Sequence, residues 1–161
     1  MDHLWSPWRY QYVSKSGPAA GCIFCLKGSQ QQDRENYVIH RGPLTFALLN
    51  IYPYTTGHLM IAPYEHVASL EPASEAIVNE MMQMARLAEI HLREVYGPQG
   101  FNIGMNLGES AGAGVPGHIH MHVLPRWAGD TNFMTTVAET RVLPESLDVT
   151  FDKLKKAFEQ K

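Results

Sequence analysis

The run Gly117-His118-Ile119-His120-Met121-His122-Val123-Leu124-Pro125-Arg126 constrains this chain more than any other stretch. Apolar Ile119, Met121 and Val123 alternate with His118, His120 and His122. A strict period of two is the pattern of a half-buried β-strand, so three imidazoles are expected on one face and the apolar residues in a core. The plain alternative is a solvated polar face that happens to carry histidine. Histidine at each successive outward position favours a face that does chemistry. Same-face neighbours lie about 6.5–7 Å apart on a strand. One metal ion with bonds of about 2 Å to nitrogen cannot hold all three rings. Two neighbours could share an ion with the third left over, or one ring acts as a nucleophile with helpers. Pro125 has no N–H for a ladder and is expected to end the strand. Arg126 follows as a candidate anion contact.

The 161 residues suffice for a single domain with a real core, taken as residues 1–161. The net charge of -3 provides no general basic field to recruit a nucleic-acid polymer. An anionic substrate would have to be held by local groups. The first ten residues, Met1 to Tyr10, have no apolar leader segment, and no apolar run approaches the ~20 residues of a membrane span. The expectation is a cytoplasmic protein with no membrane partner. The two cysteines form Cys22-Ile23-Phe24-Cys25. In a reducing compartment that spacing is half a zinc site or a redox pair. A thioredoxin-like motif should open a helix within a βαβ pattern, whereas this one follows the loop-like Ser16 to Gly21.

Residues 1–35 read as irregular. Tyr37 to His40 and Leu44 to Asn50 read as strands joined at Arg41-Gly42-Pro43, and His58 to Pro63 as a third strand after a turn. Short connections make these pair antiparallel. Pro72 to Tyr96 reads as the one long helix, with Ile77, Met81, Met84, Ala88, His91 and Val95 on one stripe. His91 there is expected to be a packed or interface residue, and the methionines core filling. Phe101 to Leu107 reads as a fourth strand. The loop Gly108 to Gly117, with Gly112 and Gly114, is rich in small residues beside the triad. It is either a plain connection or a backbone cradle for an anion. Residues 144–160 read as a last amphipathic helix with Leu147, Phe151, Leu154 and Phe158 on one side.

The triad run ending in Pro125-Arg126 closely resembles the signature of the histidine triad (HIT) family of nucleotide hydrolases and transferases. The resemblance covers Cys22 to Asn132, with the Cys-x-x-Cys, the segment Gly57 to His66 and the Gly-rich loop in order. The flanks Leu4-Trp5-Ser6-Pro7-Trp8-Arg9 and Arg126 to Met134 look most like the branch of diadenosine tetraphosphate phosphorylases and fragile-histidine-triad hydrolases. The resemblance implies an α+β fold: a five-stranded antiparallel sheet with one long helix and a C-terminal helix, the core spanning residues 36–134. Family members usually dimerise, so a homodimer is implied. His120 would be the nucleophile that takes up a nucleotidyl group, since neutral imidazole attacks near pH 7 and leaves well once protonated. His122 would steady the phosphate or leaving group. Asn50 would hold the ribose. Asn106 and the N–H groups of the loop around Gly112 and Gly114 would meet phosphate. Family members with this Cys-x-x-Cys often bind zinc, which maps to Cys22, Cys25, His66 and His118, a closed and therefore structural set. His58 competes with His66 as fourth ligand and ranks below it, because it starts a strand beside the active site, where it would orient other groups.

The implied activity is cleavage of a dinucleoside polyphosphate such as diadenosine tetraphosphate. The loop Ala113 to Gly117 lacks the Gln or Ser that many relatives place there, which leaves room for phosphate as acceptor and favours phosphorolysis over hydrolysis. A nucleoside phosphoramidase, a hexose-1-phosphate nucleotidyltransferase-like enzyme and a non-catalytic nucleotide-binding protein stay open as alternatives, as does Mg2+ brought with the substrate.

Overall fold

A computed structural model describes residues 21–131, 135 and 143–160. The flank Leu4 to Arg9 and the stretch Asn132 to Met134 lie outside the described residues. The elements are α1 (Ile23–Ser29), β1 (Val38–Arg41), β2 (Thr45–Leu49), β3 (Leu59–Pro63), α2 (Glu75–Tyr96), β4 (Gly100–Met105), β5 (Met121–Arg126) and α3 (Leu147–Glu159). The five strands form one sheet in the order β1-β2-β3-β5-β4, antiparallel at every pairing. This is the expected α+β architecture. Among the described residues, no helix is long and apolar enough to cross a membrane.

One face of the sheet carries the main core. Ile39, Leu49, Leu59, Ile61 and Val123 pack beneath Ile77, Met81, Met84, Ala88 and Leu92 of α2, all at most 3% exposed. With Ala85 these make six buried residues on a period near 3.6, which give α2 a continuous apolar stripe, and that burial holds the helix on the sheet. The helix starts at Glu75 rather than Pro72, because the Ser74 side chain accepts the Ile77 N–H and so caps it. It stops at Gly97 in the left-handed conformation, φ 56°. His91 is packed: its ring lies 4.4 Å from that of Phe158 on α3.

Three expectations are corrected. The histidine run is not strand throughout. The β3–β5 ladder ends at Ile61 opposite Met121. Two residues further on, Pro63 has no N–H to give, and residues 118–120 lie outside the ladder. They are held instead by the Ile119 N–H bonding to the Val67 carbonyl at 2.8 Å. At the other end Pro125 does not stop the strand, and Arg126 still pairs with Gly100. β3 accompanies β5 only to Val123, so the missing N–H of Pro125 interrupts no ladder on that side.

The third correction is α1, which lies within the segment expected to be irregular. Cys22 is its N-cap, so the cysteine pair does open a helix. A seven-residue helix is too short to stand on propensity alone. Arg41 of β1 supports it by donating to the carbonyls of Lys27, Gly28 and Gln30 at 2.6–3.2 Å, where the helix leaves its acceptors unpaired. Gly28 lets the helix sit close: a Cβ there would be 3.1 Å from Tyr64 and 3.2 Å from Phe46. Phe24, Val38, Phe46, Leu48 and Ala62 form a second small core beneath it.

Candidate active site

The sheet face opposite α2 gathers two adjoining clusters. In the first, Cys22, Cys25, His66 and His118 bring their ligand atoms within 4.8 Å of one another. His118 Nδ1 lies 3.2 Å from Cys22 Sγ, 3.6 Å from Cys25 Sγ and 3.2 Å from His66 Nδ1. His66 Nδ1 is 3.3 Å from Cys25 Sγ. The His118 Nε2–H donates to the Pro63 carbonyl at 3.0 Å. That bond puts the proton on Nε2 and turns the Nδ1 lone pair toward the thiols, which is how a ligating histidine is usually oriented. Two thiols and two imidazoles converging on one point form a donor set that can hold a metal ion. His58 is not part of it.

In the second cluster, His120 and His122 stand with ring centroids 5.0 Å apart. The His120 Nδ1–H donates to the His118 carbonyl at 3.0 Å, which leaves the lone pair on Nε2. His122 Nδ1 is 2.8 Å from His58 Nε2. His58 Nδ1 accepts the Tyr54 backbone N–H at 3.2 Å, and Asn50 Nδ2 stands 3.4 Å away from it. Since an N–H can only donate, His58 carries its proton on Nε2 and donates that N–H to His122 Nδ1. His122 therefore presents an Nε2–H. One ring thus offers a lone pair and its neighbour a donor.

Burial keeps these rings neutral. His58 and His120 are 1% and 5% exposed. Desolvation, followed by the neighbouring His122 and His120, pushes the His58 pKa down to about 3. Desolvation and then His120 push His122 to about 4. His120 is also lowered by burial, with its bond to the His118 carbonyl opposing the shift.

The remaining expected residues fall around these clusters. Asn50 uses both ends of its amide inside the protein, its Oδ1 accepting the Tyr52 N–H at 2.9 Å. Asn106 donates to the Gly112 carbonyl at 3.4 Å, tying β4 to the Gly-rich loop. Gly112 takes φ 83°, a conformation that favours glycine. Gly114 lies in the same loop, between the short 3₁₀ turn Glu109–Ala111 and the triad. Arg126 is engaged by two partners, Asp130 at 2.5 and 2.9 Å and Asn102 at 2.6 Å. Phe24 was not singled out by sequence. Its ring lies 4.7 Å from that of His120 and 5.3 Å from that of His118. Its place between the two cysteines was the available signal.

A HIT domain model matches residues 31–129, well over half of the chain. The chain belongs to the HIT family. Within it, the chain is 38% identical over 154 residues to an AP-4-A phosphorylase of Mycobacterium tuberculosis, covering 91% of this chain and 79% of that one. Among solved structures it resembles a Zn-bound histidine triad family protein from Mycobacterium smegmatis, with TM-score 0.70, 28% identity, and coverage of 87% and 94% of the two chains. A hypothetical histidine triad nucleotide-binding protein from Sulfolobus tokodaii shares the fold, with TM-score 0.68, 23% identity, and coverage of 86% and 92%.

Proposed function

We propose that this protein cleaves dinucleoside polyphosphates by transferring a nucleotidyl group to His120 and then to inorganic phosphate. The observation that carries this reading is the pair of fixed tautomers: a lone pair on His120 Nε2 beside an N–H on His122 Nε2. The likeness to a mycobacterial AP-4-A phosphorylase supports phosphate as acceptor.

In the first step the His120 Nε2 lone pair attacks the α-phosphorus. An N–P bond forms, the bridging P–O bond breaks, and the electron pair leaves on the departing polyphosphate. The His122 Nε2–H donates to oxygen where charge accumulates. In the second step a phosphate oxygen attacks the same phosphorus and the pair returns to His120. With diadenosine tetraphosphate the products are ATP and ADP. Asn50 would meet the ribose, while Asn106 and the amides near Gly112 and Gly114 would meet phosphate. Arg126 would act through its ties to Asp130 and Asn102.

Zinc is the ion that two thiolates and two imidazoles suit, and when bound it supplies a cross-link with no open position for chemistry. Cys22, Cys25, His66 and His118 would hold it, fixing α1 and the start of the triad run. A cytoplasmic setting suits cysteines kept reduced as ligands. A homodimer suits the edge strand β4, whose Ile103 is 43% exposed.

The test is product analysis on diadenosine tetraphosphate, with and without phosphate and Mg2+. ATP plus ADP formed only with phosphate is the expected result. AMP plus ATP formed regardless of phosphate would replace phosphorolysis with hydrolysis. Unchanged turnover by His120→Ala would remove the nucleophile assignment.

A further inference from the structure

Among the described residues His120 makes one hydrogen bond, from its Nδ1–H to the His118 carbonyl at 3.0 Å. A second bond at Nε2 would occupy the lone pair that has to attack, so the chemistry forbids it. The last torsion of a histidine side chain is broad and sets the ring plane only weakly. A ring tethered at one nitrogen can rock about that tether, and rocking displaces Nε2. Contact with the faces and carbon edges of the ring can hold it still without consuming the lone pair.

Phe24 makes that contact. Its ring centroid is 4.7 Å from that of His120 with 32° between the planes, so the two rings meet nearly face to face. The separation falls in the range of about 4.5–7 Å that packed aromatic pairs prefer. His122 meets the same ring at 71°. Phe24 is itself closely seated. It packs with Val38, Phe46, Leu48 and Ala62, and at 3% exposure it offers a substrate almost no surface to touch. Its backbone lies between Cys22 and Cys25, which gather with His66 and His118. Arg41 holds the carbonyls at the other end of α1. The side chain laid against His120 is thus carried by a helix tied down at both ends.

We propose that Phe24 is a positioning residue for His120, its flat face replacing the second hydrogen bond that a nucleophilic imidazole has to forgo. The inference rests on the function proposed above. Phe24 supplies no charge and moves no proton. It narrows the excursions of the ring so that Nε2 stays aimed where the α-phosphorus arrives, and that alignment lowers the cost of reaching the attacking geometry. An aliphatic side chain of similar size fills the space but has no flat face, and leaves the ring looser.

The experiment compares wild-type protein with Phe24→Met and Phe24→Leu, each at matched metal content. It measures kcat and KM for diadenosine tetraphosphate with phosphate, and the NMR signal of the His120 Hδ1 proton. In the wild type the bond to the His118 carbonyl shields that proton from exchange with water, so its resonance should be sharp and far downfield. Both variants should lose kcat about ten- to a hundredfold, up to the cost of a ~1 Å misplacement, with KM within about twofold. Their Hδ1 resonance should broaden. Either variant decides the matter if the other does not fold. An unchanged kcat, or a rise in KM with kcat kept, would overturn the positioning role. A lower melting temperature with kcat and the Hδ1 signal intact would also overturn it, since Phe24 would then serve stability alone. No turnover by wild-type protein would overturn the proposed function, and the Hδ1 comparison would still decide whether Phe24 holds the ring.

Discussion

His58 shows how one residue can set the chemistry of another. It accepts the Tyr54 amide and donates to His122, so the proton that His122 presents depends on it. His58→Asn should lower kcat about ten- to a hundredfold, the usual cost of losing an orienting partner, with KM little changed. An equal rise in KM would instead place His58 in substrate binding. The same residue makes stability depend on pH. Its folded pKa of about 3 lies below the ordinary 6.5. Between those values the unfolded chain binds more protons, so stability falls as pH drops from about 6.5 toward 3. Urea unfolding midpoints measured across that range should decline, and the decline should be shallower in His58→Asn. His58 was legible in part: its strand-start position pointed to an orienting role. Tyr54 was not, because its first contribution is a backbone amide, and an amide has no signature in a side-chain pattern. Arg126 read as a free anion contact, yet Asp130 four residues on had the spacing to claim it.

At the scale of elements, periodicity was a good guide where packing follows it. The stripe on α2 and the alternation through β5 both match buried faces. It overran at residues 118–120, where alternation continues but the ladder with β3 has ended. It could not reveal α1. Seven residues with a glycine carry little helical preference, and the supports come from Arg41 and from a cysteine pair gathered with distant histidines. This dependence predicts that α1 is sensitive to its seat. Gly28→Val should destabilise the protein by about 1–3 kcal/mol through overpacking against Phe46 and Tyr64, seen as a lower melting temperature. Chelation should lower it too if the four-residue cluster binds zinc. A melting temperature indifferent to chelator in metal-replete protein would argue against a structural ion.

For the whole molecule, the two faces of one sheet divide the work. The α2 face holds most of the apolar core. The other face holds both polar clusters, with α1 laid across it. The sheet ends in β4, and α2 leaves Met82 and Ile90 at 57% and 44% exposed. A second copy of this chain would cover such surface. Sedimentation equilibrium should therefore give about twice the 18.1 kDa of one chain, and a monomer at micromolar concentration would remove the dimer from the proposal.

The chain of hydrogen bonds that begins at Tyr54 has a consequence for how this site can vary over time. Its source is a main-chain group, so nineteen of the twenty amino acids at position 54 would still supply the donor. Proline alone would withdraw it. The side chain at position 54 can thus change while the protonation of His122 is inherited unchanged. The main chain and the side chain of one residue are here exposed to mutation separately.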